Sequence, residues 1–158
     1  MMINPETLPV IQGHEPATCV SIAATSDWIC LKNAQGVLIT VMFFYAEDED
    51  WTLTVYEGAT ASGTTAITTG AEFPIWVNAD TSTSDTMVKQ TDAITYVIDG
   101  TPGTNHLVQL YIDASILTAT YDWVKLCGSS GGTTNYGSVL YQLVGARYQQ
   151  ETPPTAIA

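Results

Sequence analysis

The segment WTLTVYE, residues 51–57, alternates apolar and polar residues with a period of two. Trp51, Leu53 and Val55 fall on one side, with Thr52, Thr54 and Tyr56 on the other. That period belongs to a strand with one buried face and excludes a helix, whose apolar residues recur every three to four positions. LVQLYID repeats the pattern, with Val108, Leu110 and Ile112 opposite Leu107, Gln109 and Tyr111. VLITVMFFY, residues 37–45, is apolar on both faces and rich in β-branched and aromatic residues, which predicts a central strand. CVSIA, WICLK, FPIWV, MVKQT, ITYVID and YDWVKL supply further short strands, separated by Gly, Asn, Asp, Ser and Thr clusters such as GATASGTTAITTG and GSSGGTTNYG. SVLYQLVGARY reads as a strand, because Gly145 interrupts a possible helical stripe, and DASIL reads as a single helical turn. The expected fold is therefore all-β: a single-domain antiparallel β-sandwich or jelly-roll-like barrel.

Residues 1–17 and 149–158 read differently. Pro5, Pro9 and Pro16 exclude helix from the first segment, and QQETPPTAIA closes the second. Neither shows the periodicity of a packed element, so both are expected to be extended arms flanking a sandwich over 18–148. Their apolar residues Leu8, Val10, Ile11 and Ile157 are then the candidates for docking on a partner, together with Trp76 in EFPIWVNAD.

Charge narrows the partners. Of 158 residues 16 are acidic and 4 basic, a formal net charge of −12, with charged residues only 13% of the chain. Such a surface repels phosphate backbones and anionic lipid, so neither nucleic acid nor membrane is an expected partner. The N-terminal sequence has no basic region followed by an apolar one, and no run reaches the length of a membrane helix. Synthesis in the cytosol is expected, with Cys19, Cys30 and Cys127 as reduced core thiols, since no C-x-x-C pair exists for zinc.

The candidate chemical groups fare poorly one by one. Glu47, Asp48, Glu49 and Asp50 form an acidic tetrad. Counting from Asp48, the sixth position is Leu53 and the twelfth Ala59, where a calcium loop needs Gly and Glu. The tetrad is expected to be a solvated hairpin tip. GSSGG, residues 128–132, matches G-x-S-x-G with Ser130 in the nucleophile position, but the next residues make a poor helix and no His follows His106. His14 and His106 stand apart, each expected at the surface or half-buried, and Trp51 and Trp123 are expected in the core. No cofactor, metal site or catalytic set is expected, and the chain reads as a non-enzyme.

NPETLPVIQGHEP, IWVNADTSTSDTMVKQTDAITY, YIDASIL with YDWVKL, and ARYQQETPPTAI together resemble small virion proteins of tailed bacteriophages and prophages. The resemblance implies a structural role, foremost capsid decoration (a cement protein) on the exterior of the virion. It implies the major capsid protein as partner and synthesis in the host cytoplasm. A homotrimer fits the three-fold positions of an icosahedral shell. The alternatives are a tail, neck or baseplate component, or a carbohydrate-binding adhesive module using Trp76 and Tyr136.

Overall fold

The computed structural model describes residues 8–18, 26–63, 65–68, 70–129 and 132–145. In chain order the strands are β1 (Val10–Thr18), β2 (Ile29–Cys30), β3 (Gly36–Phe44), β4 (Trp51–Gly58), β5 (Thr65–Ala66), β6 (Ile75–Asn78), β7 (Val88–Lys89), β8 (Thr95–Ile98), β9 (Asn105–Asp113), β10 (Trp123–Gly128) and β11 (Tyr136–Val144). They form two antiparallel sheets packed face to face. One is six-stranded, in the order β1-β11-β3-β9-β6-β7; the other is β2-β10-β4-β5, with β8 also pairing β4. The protein is an all-β sandwich and not a closed barrel.

Period two places the core. Val37, Ile39, Val41 and Phe43 of β3, Val108, Leu110 and Ile112 of β9, and Val139, Tyr141 and Leu143 of β11 point inward from the larger sheet. Trp51, Leu53 and Val55 of β4, with Val124 and Leu126 of β10, meet them from the smaller one. Each such side chain contributes about 1.5–3 kcal/mol by leaving water. The strand β3 is central, paired along all nine residues with β11 on one side and β9 on the other. SVLYQLV is indeed a strand, ending at Gly145, whose φ of +62° suits glycine. DASIL supplies a 3-10 turn, Ala114–Ile116, capped by Asp113, whose carboxylate accepts from Ser115 N at 2.8 Å.

Two buried tyrosines tie the sheets together. Tyr45, just beyond β3, donates its hydroxyl to Ile98 O at 2.6 Å. Tyr141 on β11 accepts from Leu126 N of β10 at 3.0 Å and donates to Asp27 O at 3.0 Å. On the same edge of β10, the Ser26 hydroxyl donates to Leu126 O. The backbone groups that Leu126 turns away from β4 are thereby satisfied by side chains, where none of the described strands continues the sheet.

The first segment departs from the expected arm. Residues 10–18 are strand β1, paired antiparallel with β11 from Val10↔Gln142 to Thr18↔Tyr136. Prolines bar a helix but not an edge strand, and Pro16 sits where the register shifts between His14 and Ala17. The alternation was obscured because Gly13 occupies a core-facing position. A Cβ there would come within 2.6 Å of the Tyr141 ring, so the tyrosine fills the space that a side chain on β1 would take. Residues 1–7 and the tail 149–158, with Ile157, lie outside the described residues.

Candidate functional site

The acidic tetrad is not a hairpin tip. β3 and β4 belong to different sheets, so residues 45–50 form a corner that carries the chain across the sandwich. Two of the four carboxylates hold that corner. Glu47 accepts from Thr134 N at 2.8 Å, and Asp50 accepts from Gly100 N at 2.9 Å. Asn135 completes the clasp, its side-chain oxygen accepting from Ala46 N at 2.7 Å and Glu47 N at 2.9 Å. Asp48 and Glu49 are exposed. No group of three His, Cys, Asp or Glu residues among the described residues is placed to hold a metal ion. Alanine at Glu47 or Asp50 should cost about 1 kcal/mol each by freeing a loop amide. Alanine at Asp48 or Glu49 should leave the urea midpoint unchanged. Equal effects at all four positions would show that charge repulsion, and not the two staples, governs the corner.

Ser130 lies outside the described residues, but its flanks are clear. Residues 132–135 are loop and β11 follows, so the strand–turn–helix of a nucleophile elbow is not built there. Gly128 instead serves packing, because its Cα lies directly against the Trp51 indole.

His14 is half-buried, as expected, while His106 is a correction. It is only 7% exposed, because it takes a core-facing position of β9 opposite Phe43. Thr104 donates its hydroxyl to Thr101 O at 2.6 Å, so the contact of 3.0 Å to His106 Nε2 requires the imidazole to donate. Nδ1 is then a bare acceptor, without a hydrogen-bond partner among the described residues, beside the edge-on Tyr45 ring. Burial pushes the His106 pKa below its ordinary value, against the opposing pull of Asp80 and Asp99. Buried on the core side of β9, with Thr104 bonded to its ring and no carboxylate hydrogen-bonded to it among the described residues, His106 serves packing.

Other side chains also moved relative to expectation. Trp51 is fully buried and stacks on Phe43 at 4.7 Å, but Trp123 is half-buried on the outward side of β10. Its neighbours Val124 and Leu126 take the inward positions. Cys30 and Cys127 are free thiols, half-buried rather than in the core, for the same reason of strand parity. Cys19 lies outside the described residues. Glu57 escaped notice, although it continues the inward series Trp51, Leu53, Val55. It is 2% exposed, and its carboxylate accepts from Thr118 N at 2.8 Å and Thr118 Oγ1 at 2.5 Å, clasping the loop after the 3-10 turn to β4.

The docking candidates separate. Ile11 is a core residue, 7% exposed, and so is withdrawn from any partner surface. Val10, 59% exposed, and the half-buried Leu8 remain at the outer edge of the six-stranded sheet. Trp76 is half-buried on the outward side of β6, four strands away, or about 19 Å at ordinary strand spacing. Between them Met42, Phe44 and Tyr136 are exposed on the outward face. They line an open cleft of about 530 Å³ with Leu107, Asn105 and Ser138. What these candidates offer is contact area: the edge strand β1 and the apolar outward face of the six-stranded sheet. No protein-family model matches the chain, and no curated protein matches it.

Proposed function

We propose that the protein is a structural component of a bacteriophage virion, in first place a capsid decoration protein that binds the lattice of the major capsid protein. The observation that carries this reading is the edge of the six-stranded sheet. β1 is the terminal strand of its sheet among the described strands, with Val10 outward and Leu8 just before it. An edge strand can be extended by main-chain pairing with a neighbouring protein, and apolar side chains beside it add affinity. Asp27 N already bonds Gly13 O at 2.8 Å on the outer side of β1, which leaves the end near Leu8 and Val10 as the point of attachment. The resemblance of the arm, the central segment and the ending to small phage virion proteins supports the same reading. So does a net charge of −12, which keeps the protein off nucleic acid during assembly.

The test is co-sedimentation with purified empty shells of the parent phage. The full chain should saturate the shell at a fixed ratio to the capsid protein. A variant lacking residues 1–7 and carrying Val10→Asp should retain its melting temperature but bind at least about tenfold more weakly, as expected when an interface loses an apolar anchor. The truncation stops short of β1 because a deeper one removes a strand from the sheet. Failure of the full chain to bind shells would overturn decoration, and binding to isolated tails or baseplates would move the protein to those assemblies. Trp76 and Tyr136 on one face carry the second reading, a glycan-binding module, which specific signals on a glycan array would favour.

A further inference from the structure

The strand β3 has the composition of a strand covered on both faces, yet the described residues pack a sheet against only one. Its inward residues are fully packed, while Leu38, Thr40, Met42 and Phe44 point away from the core. The neighbours continue this face in register. Leu38 lies between Gln142 and Tyr111, Thr40 between Leu140 and Gln109, and Met42 between Ser138 and Leu107. Trp76 extends the second of these rows beside Gln109. Along β11, β3, β9 and β6 the sole charged side chain at an outward strand position is Asp113, at the very end of β9. Of the six exposed large hydrophobic residues among the described ones, Met42, Phe44 and Tyr136 lie on this face, and Val10 lies at its β1 edge.

We infer that this face is where a second copy of the chain packs, sheet against sheet, in a two-fold pair. Charge selects the occupant. A protein of net charge −12 repels its own copies over most of its surface. This face brings almost no carboxylates together, so it is where like-charged copies can meet. Size agrees. The nine-residue strands β11, β3 and β9 with the four-residue β6, at about 4.8 Å spacing and about 3.4 Å per residue, span roughly 500 Å². Two such faces bury about 1,000 Å², the area that a biological interface has to reach. Stacked sheets sit about 10 Å apart, a gap that Met42, Leu107 and Leu140 are long enough to fill from both sides. Because a patch that meets its own image closes in pairs, the arrangement is a dimer and replaces the trimer expected from the sequence. It is independent of what the β1 edge binds, so loss of shell binding and loss of pairing are separate results.

The experiment is sedimentation velocity on the full chain across the micromolar range at low and high salt. Wild type should show the mass of a pair, and salt should tighten it, because screening weakens the repulsion between acidic copies. Met42→Glu and the nearly isosteric Gln109→Glu should each weaken pairing by at least about tenfold, since each sets like charges face to face. Circular dichroism of the two variants should remain that of the β-sandwich. Val97→Glu, on β8 of the other sheet, should pair like wild type. A wild-type monomer at all concentrations, a trimeric mass, or undiminished pairing by Gln109→Glu would overturn the inference.

Discussion

Replacing Gly128 with alanine is expected to destabilise the protein by about 3 kcal/mol or more, the upper range for overpacking a core. Gly128 ends β10 opposite Leu53, and a Cβ built on it would penetrate the Trp51 indole. The indole has nowhere to go. It is fully buried and stacked on Phe43, which is itself edge-on to Tyr45 at 4.4 Å. Denaturant titration should show a lower midpoint with little change in slope, the signature of lost stability in a two-state domain. Trp51→Leu alone should also be costly, by leaving a cavity. The double variant should cost less than the sum of the two, because the smaller side chain makes room for the new methyl. Strict additivity would show that the clash is relieved by backbone movement elsewhere.

Removing one oxygen from Tyr141 should have the next largest effect. Tyr141→Phe keeps the ring but leaves Leu126 N–H and Asp27 C=O without their partner between the sheets. Each buried group left unpaired costs about 1–3 kcal/mol, so a loss of about 3 kcal/mol is expected. Tyr111→Phe is the control. Its hydroxyl sits half-exposed, at 3.5 Å from Asp113 Oδ2, and its loss should change stability little. Burial also holds the Tyr141 phenol well above its ordinary value of 10.0. The folded form therefore keeps this proton more tightly than the unfolded one. That contribution is full below pH 10 and is lost as the pH climbs beyond it. Wild type should lose stability steeply above about pH 10, and Tyr141→Phe, starting lower, should fall less steeply over the same window. Parallel alkaline profiles would mean that other groups govern unfolding there.

Alternation along the chain is enough to specify the fold class and most of the strands. Period two in WTLTVYE and LVQLYID depends only on neighbouring residues, and the inward sets it named are the ones that are buried. The same local logic recognised VLITVMFFY as central, because β-branched and aromatic residues on both faces suit no other position. Whatever depends on partners distant in the chain emerges only once the sheets are packed. β1 could not be seen because its core-facing Gly13 is explained by a ring 128 residues later, at Tyr141. The acidic tetrad looked like a hairpin tip because two strands joined by a short link ordinarily pair. Only the sheet order shows that this link changes sheets, and its carboxylates find Thr134 and Gly100 there. Parity told Trp51 from Thr52, but which face of β10 and β2 would be covered depended on the opposing sheet. Trp123, Cys30 and Cys127 therefore came to lie outward. The candidate docking residues divided for the same reason: strand pairing turned Ile11 into the core and left Val10 at the surface, a choice made by β11 and not by the two residues themselves.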